Sequence, residues 1–376
     1  MGSGASAELK RAAANLGDEE IKQIEEKYAN LKSQGVDTVG IVQKLLTEDS
    51  TATENASDDE GALVRARARV SKLNHEVSME VFSNYLLGTD GAAPSDLALE
   101  VCLKELMTSN DTINILHASD PKRTDLPPNL KPDAIKERMD IRLMSEISQS
   151  RYKLTWVEQN ENEKIKSCIL RTVNQMTSSR SELPLTEKPS YFVTGVTGRR
   201  GTNLVGKLVL LAVGHFHIPN IVIKKPPVTD RPRVFVASIK HLSRLQPLHI
   251  ALDLMKPGKG DKLIVLHIYT ETFYNKTGFE SDESSHVIAN FQKLFQNLIS
   301  QQDGMDNSGS KFIAMEDTGA KNWRDIVLET CENEKADYVI MNPAIHMGDV
   351  LQDNATMNNC KHIIENVECN VVVCNH

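Results

Sequence analysis

The chain of 376 residues has no cysteines at C-x-x-C spacing, no long apolar run and no excess of basic side chains. Each absence excludes a class of protein. Its six cysteines, Cys102, Cys168, Cys331, Cys360, Cys369 and Cys374, make neither a disulfide framework nor a zinc module, and a reduced, intracellular setting fits them best. A membrane helix needs roughly 18 or more consecutive apolar residues, and none occurs. The opening MGSGASAELKR lacks the apolar segment of a secretory leader, so no export signal is expected. A net charge of −8 argues against nucleic acid as the main partner. No Ser-His-Asp set and no working pair of carboxylates can be assigned, so the expectation is a protein that is not an enzyme. The expected location is cytoplasmic, with membrane or cytoskeletal association left open.

What remains is the composition of a globular protein, 40% hydrophobic and 25% charged, with length for two or three domains. The first residues, MGSGAS, fit M-G-x-x-x-[ST], which makes Gly2 a candidate for N-myristoylation. The plainer reading is a start rich in small residues. One acyl chain binds membranes only marginally, and Lys10 and Arg11 are a weak second signal. Peripheral membrane contact is therefore an expectation tied to Gly2 alone.

Residues 1–75 read as a helical arm with an acidic linker. Asp18 suits the cap of a helix carrying Ile21, Ile24, Tyr28 and Leu31 at helical spacing. The polar stretch TEDSTATENASDDEG follows, at 47–61. Such an arm is expected to offer a docking surface to protein partners. From residue 79 the pattern changes to strands alternating with helices, which implies parallel sheets covered on both faces. Expected strands are 82–89, 112–118, 152–157, 191–196 and 220–223, then 233–238, 262–268, 311–316, 338–341 and 370–374. One intervening helix carries Leu99, Cys102, Leu103 and Leu106; another carries Ile165, Cys168, Ile169 and Val173. ILHASD at 115–120 matches VLHIYT at 265–270, SYFVTG at 190–195 matches DYVIMN at 337–342, and IPNIVI at 218–223 matches ECNVVV at 368–373. The near-constant offset reads as a tandem duplication. Two domains are expected, 79–225 and 232–376, joined by the Pro-rich KKPPVTDR.

In parallel sheets, ligands sit at the carboxyl ends of the strands. Two glycine loops fall there, at Asp90-Gly91 and within VTGRRGTNLVGKLV at 196–209. Gly201-x4-Gly206-Lys207 is almost a P-loop, but Leu208 stands where a hydroxyl must hold Mg²⁺. Gly198-Arg199-Arg200 also separates the strand from the first glycine of that pattern. The other spacing, Gly198-x2-Gly201, lets backbone N–H groups approach phosphate, and Arg199 and Arg200 suit phosphate oxygens. The plainer readings are a turn into a helix capped by Ser95, and a tight turn at a strand's end.

Taken with the segments 86–103 and 193–223, these loops resemble the universal stress protein (UspA) family. LGTDGAAPSDLAL is similar to that family's opening stretch, and TGVTGRRGTN with IPNIVIKK is similar to its closing loop and last strand. The resemblance covers 80–225 well and 232–375 by architecture; it omits the first 75 residues. It implies two tandem flavodoxin-like α/β domains that pair through the last strand of each half. It implies ATP or AMP in the first half. There Asp90 would meet the ribose side, the Ala118 backbone the base, and Gly198, Gly201 and Thr202 the phosphates. The family signature G-x2-G-x9-G-[ST] is only half kept, since Leu211 and Ala212 stand nine residues on and Gly206 is the only later glycine near the place. In the second half Ser238 replaces the aspartate, and NPAIHMGDVLQDNATMN carries Asp349 and Asp353, which would repel phosphate. That half reads as degenerate.

Cys360, His362, Cys369, Cys374 and His376 crowd the C-terminus, but Cys360 extends a core stripe with Met357, Ile364 and Val367. No metal is expected there or at His215 and His217. Trp156 and Trp323 are read as packing residues. Of two functions, the first is the one expected and the second its alternative. One is a scaffold or adaptor in a larger assembly, with residual nucleotide binding; the broken half-signature favours it. The other is an ATP- or AMP-sensing stress-response protein whose first domain controls partner docking; Asp90-Gly91 and Gly198-x2-Gly201 favour that.

Overall fold

A computed structural model describes residues 83–178, 188–198, 204–239, 245–256, 258–269, 288–289, 292–293, 295–296, 309–342 and 354–374. The arm, the Asp18 cap and Gly2 lie outside the described residues. All described residues belong to one compact unit, Val81–His376.

Among the described residues, ten short apolar runs form ten strands. They are β1 Asn84–Gly88, β2 Thr112–Ser119, β3 Tyr152–Glu158, β4 Tyr191–Gly195, β5 Asn220–Ile223, β6 Val234–Ile239, β7 Lys262–Tyr269, β8 Lys311–Glu316, β9 Tyr338–Met341 and β10 Asn370–Val373. Each falls within two residues of the stretch expected from the sequence. Strands such as β1, β4 and β10 are buried along their whole length. Burial on both faces is why they read as unbroken apolar runs rather than alternating ones.

One sheet contains all ten strands, in the order β3-β2-β1-β4-β5-β10-β9-β6-β7-β8. Neighbours run parallel except β5 and β10, which pair antiparallel through Val222–Val371 and Ile221–Val372. The fold is α/β, with two five-stranded parallel halves meeting at that one pair.

The described helices are α1 Ala93–Val101, α2 Pro132–Glu146, α3 Ile165–Thr177, α4 Lys207–His215, α5 Gln246–Leu254, α6 Trp323–Asn333 and α7 Asn354–Asn366. Prolines open α1, α2 and α5 in the first turn, where the missing N–H removes no helical bond. Adjacent residues on a strand face opposite layers. Leu87 packs with Leu99 of α1 and Ile135 of α2, whereas Leu86 packs with Val173 of α3 and Ala212 of α4. On the second half, Val236 and Val371 pack against α6 and α7 through Ile326, Val327, Ile363 and Ile364.

The structure differs from expectation at both ends of α1. Its α-helix ends at Val101, and Cys102–Leu106 widens to π-helical bonding, with Met107 N–H donating to the Cys102 carbonyl at 2.9 Å. Its cap is Ala92, whose side chain makes no bond, and Ser95 lies inside the first turn.

The π turn aims Glu105 into the junction between halves. Glu105 and Arg233 are both fully buried. Arg233 Nη1 lies 3.4 Å from Glu105 Oε1, and its Nε donates to both oxygens of Asp261 at 3.1 and 3.2 Å. Nη2 bonds Asp261 and the Leu254 carbonyl. The second Glu105 oxygen accepts the Val228 N–H from the connecting segment at 2.7 Å. A buried charge left without its partner is costly, so this network holds the two halves and their connection in one arrangement. Lys256 adds a bond from its Nζ to the Met107 carbonyl at 2.8 Å. Burial, with Arg233 nearby, pulls its ammonium down to about 8.

Two outcomes follow for stability. Glu105→Ala should lower the unfolding free energy by roughly 3 kcal/mol in urea denaturation; a change within error would contradict the role of the network. Lys256 is protonated in both states below pH about 8. Between about 8 and the ordinary 10.5 only the unfolded chain holds that proton, so folding gains stability as pH rises. The stability of the wild type relative to Lys256→Met should therefore grow across that interval, and a flat difference would refute the assignment.

Candidate functional site

Strand order reverses at β1: the chain runs outward from β1 through β2 to β3, then crosses back to place β4 on the other side. Loops leaving β1 and β4 must then diverge, which opens a crevice at the carboxyl ends of the sheet. A cleft of about 600 Å³ lies there, lined from β1, β2, β4 and their loops and by the first turns of α3 and α4. That volume suits a small organic ligand. Leu116, Leu126, Ile165, Ile169, Phe192 and Leu208 supply an apolar wall, and Thr89, Asp90, Asp120, Arg123, Thr194 and Lys207 a polar one.

Asp90 is fixed by the turn that starts α1. Its Oδ1 accepts the Ala92 N–H at 3.0 Å and lies 3.4 Å from Ser95 Oγ. Thr89 Oγ1 accepts the Gly91 N–H at 3.1 Å and donates to Ser95 Oγ at 3.1 Å. Ser95 Oγ in turn donates to the Ala92 carbonyl at 2.8 Å. Ser95 therefore braces the turn instead of capping the helix. Gly91 has φ of +77°, and a Cβ there would meet Ile135 Cδ1 at 2.5 Å. Both conformation and space require glycine.

Across the crevice, a Cβ on Gly198 would meet, among the described residues, only Asp90 Oδ2, at 3.3 Å. The Gly198 backbone thus faces the carboxylate of Asp90 more than a hundred residues away in sequence. Gly206 N–H donates to the Val196 carbonyl at 2.7 Å, so the ends of the β4 loop meet. This closure starts α4 at Lys207 and brings Lys207, Leu208 and Val209 to the cleft. Ala118, in β2, lines it from the side. Beside it, His117 Nδ1 lies 2.9 Å from the Thr89 carbonyl, which fixes the proton on that nitrogen. Its ring centroid is 5.3 Å from that of Trp156.

The structure thus brings Asp90, Ala118 and Gly198 to one cleft, while Gly91 shapes the turn beside it and faces Ile135. Arg199, Gly201 and Thr202 lie outside the described residues, as do 240–244 and 343–353 of the second half, with Asp349 and Asp353. Ser238 is buried at the end of β6. Sequence reasoning missed Thr89, Asp120, Arg123 and Lys207 as cleft residues. Only Lys207 had left a signal, as the lysine of the failed P-loop. All six cysteines are free and buried, and burial pushes the Cys360 thiol up to about 12. Trp323 is buried, and Trp156 donates to the Pro132 carbonyl at 3.3 Å. Among the described residues no cluster of three His, Cys, Asp or Glu side chains could hold a metal, and no helix is long and apolar enough to cross a membrane.

No family model and no curated protein matches the chain. Solved structures similar to it include universal stress proteins. One from Archaeoglobus fulgidus is 14% identical, covers 78% of this chain and 98% of its own, and has a TM-score of 0.49. Another, a putative universal stress protein from Pseudomonas aeruginosa, is 10% identical, covers 79% and 94%, and has a TM-score of 0.48. A universal stress protein in complex with cAMP is 14% identical, covers 39% and 99%, and has a TM-score of 0.27.

Gly91→Ala should destabilise the protein by about 2 kcal/mol, from strain at positive φ and overlap with Ile135. Chemical denaturation measures it, and a neutral result would mean the turn is not built as described.

Proposed function

We propose that the cleft between β1 and β4 binds a nucleotide of the ATP or AMP class. We further propose that the protein acts by binding, not catalysis, with occupancy setting how partners dock. The observation that carries this reading is the Asp90 carboxylate facing the Gly198 backbone across the crevice. A carboxylate is an acceptor that suits a sugar hydroxyl. A glycine, with no Cβ, admits a ligand against the main chain. The apolar wall gives a base a dry surface. In this reading 79–225 is the binding domain and 232–376 a degenerate copy that completes the sheet, with Arg199, Gly201 and Thr202 assigned to the phosphates on the sequence pattern alone.

A second reading is a scaffold or adaptor in a larger intracellular assembly. One observation favours it: α4, Lys207–His215, carries Leu211 and Ala212 where the resemblance calls for a glycine and a hydroxyl.

The two readings part in thermal unfolding of the full chain with ATP. At a ligand concentration about a hundred times Kd, the first predicts about 2.7 kcal/mol of added stability. Asp90→Ala and Gly198→Val should abolish it. The absence of any shift in the wild type at millimolar ATP would leave the scaffold reading alone.

A further inference from the structure

We infer that Lys256, at the junction of the two halves and outside the cleft, is an acylation site whose donor is a small acyl phosphate. The site stands whether or not the cleft holds a nucleotide.

Two arginines of the junction are matched by carboxylates. Arg233 is held by Asp261 and Glu105, and Arg231 donates to both oxygens of Asp337 at 2.7 and 2.8 Å. Lys256 is not matched in this way. Its Nζ donates to the neutral carbonyl of Met107 at 2.8 Å, and among the described residues it forms no ion pair. The side chain is half-buried. Its backbone is pinned, because the Lys256 N–H donates to Asp261 Oδ2 at 3.0 Å, and the same carboxylate binds Arg233. The Lys256 carbonyl accepts the Lys259 N–H at 3.3 Å, which keeps Lys259 on the same turn. The charges around the ammonium are Arg233 and Lys259 on one side of the balance, Asp111 and Glu105 on the other. Both carboxylates are engaged elsewhere. Asp111 accepts the Ser83 and Thr108 N–H groups at 2.8 and 2.6 Å, and Glu105 the Val228 N–H at 2.7 Å. Burial, then the two cations, outweigh them and bring Lys256 down to about 8.

A lysine is a nucleophile only as the free amine, and burial beside another cation keeps an amine free near neutral pH. The Nζ lone pair attacks the acyl carbon. A C–N bond forms and the C–O bond to phosphate breaks. The nitrogen gives up one proton, and the phosphate leaves with it as hydrogen phosphate. Lys259 decides the class of donor: it is exposed and positive, so it draws an anionic reagent to the turn. The product also fits the place. An amide keeps one N–H for the Met107 carbonyl, and it carries no charge for burial to penalise.

The test is competitive acetylation of the full chain and a short lysine peptide in one tube, with sites and rates read by mass spectrometry. Acetyl phosphate is the anionic donor and N-acetylimidazole the neutral one. Near pH 7, Lys256 should react with acetyl phosphate about tenfold faster than the peptide, its larger neutral fraction set against the weaker nucleophilicity of a less basic nitrogen. The advantage should shrink as pH rises past about 8, where the Lys256 amine is already free. It should be smaller with N-acetylimidazole. Lys259→Ala should slow acetyl phosphate at Lys256 by about threefold; Lys259 is exposed, so the change does not threaten folding. Lys256 reacting no faster than the peptide near pH 7, or an advantage that persists unchanged to high pH, would overturn the site. An equal advantage with both donors, or no effect of Lys259→Ala, would overturn the assignment of an acyl phosphate.

Discussion

Strand β1 lies between β2 and β4, and the site depends on that placement. Because the chain leaves β1 in one direction and returns to its other side after β3, two loops far apart in sequence end at one crevice. The Thr89–Ser95 brace fixes one loop, and the Gly206–Val196 bond closes the other. Neither loop makes a site alone. Asp90 without Gly198 is a helix-initiating turn, and Gly198 without Asp90 is a strand-ending turn.

The same helix that starts beside the cleft ends in the junction of the two halves. α1 begins after Asp90-Gly91, and its π turn carries Glu105 to Arg233 and to the Val228 N–H. The sheet is continuous through β5 and β10, so the second half covers an edge that the first would otherwise expose. Lys224 reinforces this contact. Its Nζ bonds the Ile364 carbonyl at the end of α7, and its N–H bonds Asn370 Oδ1 at 2.8 Å.

The strands were legible because parallel strands buried on both faces are written as short apolar runs between turn residues. The repeat in ILHASD and VLHIYT was legible for the same reason. Polar structure was not. Ser95 looked like a helix cap because serine favours that position, yet Asp90 and Thr89 draw its hydroxyl into the turn. Glu105 and Arg233 drew no reading as a pair, since nothing in a linear pattern shows that a helix widens and turns a carboxylate inward. Asp90 and Gly198 came from joint reading of two loops. Lys207 was visible but assigned to a motif that fails at Leu208; its place at the cleft needed the closure at Gly206.

The central claim is a single nucleotide site, built on the first half. Its most direct measurement is the binding stoichiometry of ATP on the full chain, by equilibrium dialysis at saturating ligand. The account predicts one nucleotide per chain, lost in Asp90→Ala. No bound nucleotide, or one that persists in Asp90→Ala, would contradict it.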